Sequence, residues 1–434
     1  MEMIQRIRQR LEALRPEFER IDGLYDMFEK CFMNTLETTV RSMEKGDTFV
    51  ITGDIEAMWL RDSTAQVLHY LRFCDDADVA AMVEGLIARQ AACILIDPYA
   101  NAFNVEDSGR MWTQDEPAHS GWVWERKYEI DSLCYPILLA KRYFDRTGSC
   151  AFLTEDFHRA LCTILDVLCC EQHHEDSPYW FRRTDCPPQD TLSHDGHGAP
   201  VGYTGMTWSG FRPSDDACVY GYLVPSNLFA ESTMGYAAEL ARMMDDEPLA
   251  VRAETLARDI HEGLEHYAKV EHPEYGQIYA YETDGLGTHL LMDDANVPSL
   301  LSLPYLGVCE KDDPMYVRTR AFVLSAGNPC YGEGRFARGI GSFHTPKGYV
   351  WPIALCVQSM TTDDDGEAAQ LMRMLLDTHA GTGFMHESFD PDNPNDFTRT
   401  WFAWANSMFG EMIYQLHEQG RLEKVVELAG ADKA

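Results

Sequence analysis

An all-α toroid is the fold class that this chain predicts. Three observations carry that reading: about a dozen segments with apolar residues at helical spacing follow one another, short and long connections alternate between them, and strand patterns are few. A doubly wound sheet would need strands and helices in alternation, and the 434 residues do not offer them. No Pro-, Gly- or Ser-rich tract divides the chain and no internal repeat stands out, so residues 1–434 are expected to form a single domain.

Composition narrows the classes further. Apolar residues at 45% and charged ones at 24% are ordinary for a globular protein with a large core. The formal charge of −34, from 36 basic and 70 acidic residues, leaves no surplus of cations to neutralise phosphates, so nucleic acid is not an expected partner. Thirteen cysteines without a Cys-x-x-Cys, with Cys169 and Cys170 adjacent, read as reduced thiols and not as a disulfide framework. The first ten residues are charged and amphipathic, and no run reads as a membrane span. A cytoplasmic protein without a membrane partner is the expectation.

Taken in order, two helices are expected up to about residue 43, divided near Ile21-Asp-Gly23, with Phe28, Cys31, Phe32 and Leu36 on one face of the second. A short extended piece, Phe49 to Met58, then leads into Trp59-Leu-Arg-Asp62 at a new helix start. Helices are expected at about 64–73 and 78–96, followed by a long loop from Asp97 to Arg126, rich in Trp, Asn and acids. The segments at about 128–144 and 155–172 carry apolar stripes, the second through Phe157, Ala160, Leu161, Ile164, Leu165 and Leu168. Later helices are expected to about 243, then at about 247–268, 313–325, 348–360, 364–378, 399–419 and 421–430, with a hairpin around Tyr275–Tyr281. Met292–Ser299 reads as the opening of another helix, and Trp401, Trp404, Met408 and Phe409 as inward-facing residues of the 399–419 one.

Chemistry concentrates in two loops. In Tyr203–Asn227, Pro213 and Ser214 are helix-start residues, so Asp215 and Asp216 are expected in a first helical turn beside the aromatic surface of Trp208 and Phe211. A plain N-cap with surface acids is the competing reading. The stretch Gly381–Asp390 supplies another acid, Glu387, in an aromatic, glycine-flexed loop. Two such loops suggest a carboxylate pair, the arrangement glycoside cleavage needs: one carboxylic acid protonates the departing oxygen while a carboxylate activates water or attacks the sugar. Trp59, Arg61 and Asp62 can grip a sugar, the indole on a ring face and the ion pair on vicinal hydroxyls, or else form a salt-bridged cap. Trp124, Glu125, Arg126, Trp208, Asp216, Asp293, Asp294 and Asn296 are further candidates for sugar contact, with packing and capping as the alternative for each. No metal or cofactor is expected: Cys169, His173, His174 and Glu175 do not make a four-ligand shell, Asp293–Asn296 lacks calcium-loop spacing, and Thr361–Gly366 reads as an acidic turn.

With these residues in view, the chain resembles glycoside hydrolase family 125, the metal-independent exo-alpha-1,6-mannosidases. The resemblance runs nearly end to end, through Gly53–Ser63, Asp97–Phe103, Trp122–Asp131, Thr204–Asp216, Met292–Ser299 and Met385–Ser388. It implies an (α/α)6 barrel of the glucoamylase-like kind with the site at one mouth, an alpha-mannoside substrate, no cofactor, and an inverting mechanism. The acid falls on Asp215 and the base on Glu387, with Asp216 as the reserve acid, and the Trp-x-Arg-Asp-Ser element assigns Arg61 and Asp62 to sugar binding. On this reading Asp215 is expected to hold its proton near neutral pH, helped by aromatic neighbours and the charge of Asp216 and opposed by Arg212. An inverting pair should stand roughly 6.5–9.5 Å apart. Another (α/α)6 activity, an alpha-glucosidase or a sugar epimerase, is the enzymatic alternative, and a glycan-binding barrel without turnover the non-enzymatic one.

Overall fold

The computed structural model describes residues 2–431, and its frame is two rings of helices, one inside the other. In the inner ring Leu60–Ala65 packs on Ile130–Thr147, which packs on Val224–Met243, which in turn meets Leu303–Leu306. Pro352–Met360 packs on Ala403–Glu418, and Ala403–Glu418 returns to Leu60–Ala65, which closes the ring. Outer helices cover these from behind: Leu24–Asn34 against Ala403–Glu418, Ala77–Ile96 against Ile130–Thr147, Glu247–Tyr267 against Val224–Met243, and Asp365–Thr378 against Pro352–Met360.

The sequence separates the two rings by how each helix is buried. In Ala403–Glu418 every residue from Ala403 to Ile413 is buried, as a helix enclosed on all sides requires. Glu155–Cys170 instead buries one face through Phe157, Ala160, Leu161, Ile164, Leu165 and Leu168. Burial of each large aliphatic or aromatic side chain contributes about 1.5–3 kcal/mol, so that face alone fixes the helix against Ala77–Ile96. Its start is set by Thr154, whose hydroxyl accepts the Phe157 N–H at 3.2 Å.

Three expectations about elements change. Ala77–Ile96 does have the length and composition to cross a membrane, with a mean hydropathy of 1.7. It is a core helix, more than half buried, and its polar members are spent inside: Gln90 donates to Ser63 Oγ at 2.9 Å and to Thr64 Oγ1 at 2.8 Å. Asp215 and Asp216 do not open a helix, since the helix begins at Val224. Their stretch is a tight loop instead, closed by a bridge between Phe211 and Ala217 and by the Arg212 N–H donating to the Asp216 carbonyl at 2.8 Å. The buried Glu282 carboxylate takes the N–H groups of Val219 and Tyr220, donors that helix formation would otherwise have needed. Met292–Ser299 is likewise irregular, because Asp293 accepts the N–H groups of Leu300 and Leu301 and folds the chain into a turn ahead of Leu303–Leu306.

Short sheets sit on the connections. Met58–Trp59, Ala102–Phe103 and Val123–Glu125 form one antiparallel sheet, with Trp59 opposite Ala102 and Ala102 opposite Glu125. Ser388–Asp390 pairs with Asn393–Thr398, the hairpin that follows Glu387. The hairpin expected near Tyr275 is Lys269–His272 with Gly276–Tyr279.

Candidate active site

Loops and inner-helix ends from eight parts of the chain meet around a cavity of about 270 Å³. Asp215 comes from the tight loop described above, with its backbone in the left-handed region at φ 68°. An L-residue other than glycine is held there only when its surroundings over-determine it. Two contacts fix it: the Asp215 N–H donates to the Arg212 carbonyl at 2.9 Å, and Lys127 Nζ donates to the Asp215 carbonyl at 2.7 Å. Arg212, the cation expected to act on Asp215, is turned away and pairs with Glu282 at 2.6 Å.

The cation at Asp215 is Arg61. Its guanidinium is buried and meets three carboxyl groups: Glu129 at 2.6 Å, Asp131 at 3.0 Å and Asp215 at 3.0 Å. Burial alone would raise the pKa of Asp215. Arg61, a hydrogen bond from Glu129, Lys127 and His344 together outweigh burial and hold Asp215 below the ordinary carboxylate range. The expectation of a raised Asp215 is therefore corrected, and it is the neighbouring Glu129 whose carboxyl burial drives well above its usual range, with Arg61 opposing. Asp62, beside Arg61, is pushed up to about 6 by burial, which Arg61 opposes and Asp215 reinforces.

Glu387 lines the same cavity from the opposite loop. Its carboxylate lies 3.6 Å from the Arg399 guanidinium, which is itself anchored to Asp54 through Nε at 3.0 Å. The hairpin brings Arg399 there, and a bridge between Gly53 and Phe402 ties the two loops. His386, next in chain, is structural: it stacks on Phe397 at 3.7 Å and its Nδ1 donates to the Arg399 carbonyl at 3.1 Å.

Of the remaining residues singled out in sequence, Trp59, Arg61, Asp62, Glu125 and Asn296 line the cavity. The others do different work. Trp208 is buried and stacked face to face on His174 at 3.5 Å, and Arg126 pairs with Asp97 at 2.7 Å beside the rings of Tyr99 and Tyr179. Trp124 packs behind Trp59 in a small apolar cluster with Ala57 and Ala102. Asp293 is fully buried on its two backbone donors, and burial raises its pKa to about 8. Asp294 accepts from the Asn296 side chain at 2.9 Å and from Ser342 Oγ at 2.6 Å, so it orients the asparagine that lines the cavity. Asp216 is buried behind Asp215, where it accepts from His344 Nδ1 at 3.0 Å. Both ring nitrogens of His174 are engaged, by Glu171 at 2.7 Å and the His197 carbonyl at 2.9 Å, which fixes the ring beneath Trp208.

Sequence reasoning missed several cavity residues. Lys127, Arg183 and Asp190 form its charged rim with Glu125, Arg183 donating to Glu125 at 2.8 Å and Lys127 to Asp190 at 3.1 Å. Lys127 carried a signal, since it is a buried cation inside the Trp122–Asp131 block. Trp351, Phe402 and Trp404 supply the apolar wall; Trp404 had been read as inward-facing, and in a ring the inward side of a helix end is also the cavity. His344 and Arg399 lie in loops with no periodic or motif signal. Trp112, 64% exposed, reaches the mouth from the long loop.

The geometry fits what comparison finds. The sequence profile described as "Metal-independent alpha-mannosidase (GH125)" matches residues 22–414. The meiotically up-regulated gene 157 protein of Schizosaccharomyces pombe is 38% identical over 441 aligned positions, which cover 95% of this chain and 86% of the yeast protein. A metal-independent alpha-mannosidase of Streptococcus pneumoniae, solved in a non-productive complex with alpha-1,6-mannobiose, is 44% identical, with a TM-score of 0.93 over 96% of this chain and 98% of its own. A bacterial glucoamylase bound to acarbose is 14% identical with a TM-score of 0.56, over 86% of this chain and 51% of the glucoamylase, and it shares the (α/α)6 fold alone.

Proposed function

The chain belongs to the metal-independent alpha-mannosidases of glycoside hydrolase family 125, and from that premise we propose that it removes terminal alpha-1,6-linked mannose from short mannosides or N-glycan fragments, with Asp215 as general acid and Glu387 as general base. The observation that carries this reading is that two carboxylates from loops far apart in sequence line one cavity. The relative bound to alpha-1,6-mannobiose supports the linkage.

In this mechanism Asp215 gives a proton to the glycosidic oxygen as the bond from C1 breaks. Glu387 takes a proton from the water that attacks C1 on the opposite face, and the configuration inverts. Arg61 keeps Asp215 aimed at the leaving oxygen. Trp59, Trp351 and Trp404 offer ring faces to the sugar, while Asp62, Asn296 and Arg399 offer polar groups to its hydroxyls. The cysteines are all free thiols, which supports a cytoplasmic, reducing setting; native protein found outside the cell would overturn that part.

Proton NMR of alpha-1,6-mannobiose with the enzyme and a chelator tests the proposal through the first mannose released. Early beta-mannose is the expected signal. Early alpha-mannose would mean retention and wrong roles for the pair, and no release would remove the linkage assignment.

A further inference from the structure

We propose that the acid of this enzyme is a two-carboxyl unit, in which Glu129 is the positioning residue that stores the proton and passes it to Asp215 for delivery. The inference rests on the assignment of Asp215 as general acid.

Charge and geometry lead to it. Arg61 is surrounded by Glu129, Asp131 and Asp215, all within 3.0 Å of its nitrogens, and the guanidinium and the first two are almost fully buried. Asp62 lies in the same buried cluster. One guanidinium cannot neutralise that many carboxylates away from water, and among the described residues the other cations acting on Asp215 are shared, Lys127 with Asp190 and His344 with Asp216. At least one carboxyl must therefore be neutral. Glu129 is the group placed to be so: it is completely buried, it is hydrogen-bonded to Asp215, and besides Arg61 at 2.6 Å it meets Ser132 Oγ at 3.0 Å and Asn101 Nδ2 at 3.4 Å, both neutral groups. Asp131 is equally buried but meets Arg61 and not Asp215. Asp215 alone of the three reaches the cavity, with its side chain 22% exposed.

The groups that face the pair are Arg61, Asp62, Asp131, Lys127, His344 and the Cys218 thiol. The two nearest Asp215 are cations, which disfavour a proton on it in isolation. In turnover the Glu129 O–H bond breaks as an Asp215 O–H bond forms, and that same proton then passes from Asp215 to the glycosidic oxygen as its bond to C1 breaks. Glu129 and Asp215 are then both ionised, and the proton taken from water sits on Glu387. Its return through solvent restores the resting state, so the net reaction is glycoside plus water to mannose plus alcohol.

The test compares alpha-1,6-mannobiose, whose leaving group needs a proton, with 2,4-dinitrophenyl alpha-mannoside, whose leaving group does not. In Glu129→Gln, kcat/KM on mannobiose is expected to fall by about 10²-fold or more, the scale of general-acid catalysis, while the activated substrate stays within a few-fold. The basic limb of the mannobiose pH profile is expected to move to lower pH, because the proton must then sit on Asp215 beside Arg61. Equal losses on both substrates with the limb unmoved would mean a merely structural Glu129 and overturn the proposal. Asp215→Asn is run alongside. If it also loses both substrates equally, the acid assignment itself falls; if it spares the activated substrate and Glu129→Gln does not, only the two-carboxyl unit falls. Should Glu129→Gln fail to fold, Glu129→Asp, which withdraws the carboxyl by one methylene, carries the same comparison and the same shift of the limb.

Discussion

Asp215 and Asp216 are neighbours of one residue type with opposite fates, and backbone conformation separates them. The left-handed φ at Asp215 turns its carboxylate to the cavity, while Asp216 points back into the protein and holds His344. Burial would lower the pKa of His344, but the hydrogen bond and charge of Asp216, with Glu387 and Asp215 behind it, raise it to about 9. The sign follows: a histidine raised in the folded state contributes stability that is fully present below its ordinary pKa of 6.5 and is lost as pH rises through about 9. The melting temperature of the parent is therefore expected to fall between pH 6.5 and 9, and Asp216→Asn should flatten that fall and move the His344 NMR titration down from about 9. An unchanged titration would dismiss Asp216 as the cause. Trp59 and Trp208 make the same point for aromatic residues. Both were legible as indoles near acids, but only the packing of His174 against Trp208 removes the second from the site.

Periodicity carried most of the helices, since apolar stripes at 3.6-residue spacing survive whatever packs on them. It failed where distant groups satisfy the backbone. The loop at Asp215 is held by Glu282, about 60 positions on, and no local pattern announces that partner. Gly53 is a second case. Its φ of 131° suits glycine, and a Cβ there would lie 2.7 Å from the Trp401 carbonyl. The close approach lets the Gly53–Phe402 bridge form and seats Arg399 on Asp54, beside Glu387. Gly53→Ala is expected to cost about 1–3 kcal/mol of stability, and to lower kcat/KM by displacing Arg399. Urea unfolding and steady-state kinetics check both, and a variant with the parent's values would mean that the loops are not pinned there.

At the scale of the whole molecule, a ring couples its ends. Ala403–Glu418 packs against both Leu24–Asn34 and Leu60–Ala65, so the last inner helix shares a core with the first elements of the chain. One hydrophobic cluster runs from Ile7 to Ala429. Urea unfolding followed by far-UV circular dichroism, tryptophan fluorescence and activity should accordingly give coincident transitions. Two separated transitions would divide the barrel into independent parts. The ring also explains how residues more than 300 positions apart, Arg61 and Glu387 among them, line one cavity.

By itself the sequence determined the helical class, because amphipathic and fully apolar stripes are local properties of consecutive residues. The blocks around Trp59, Asp215 and Glu387 also identified the chemistry, since those residue types recur together in one family. Tertiary structure alone decided which acids face the cavity and which cation governs Asp215. Arg212 was near Asp215 in sequence, yet Arg61 is near it in space. Electrostatics and burial depend on distance through space and on what excludes water, and neither quantity is written in the order of the residues.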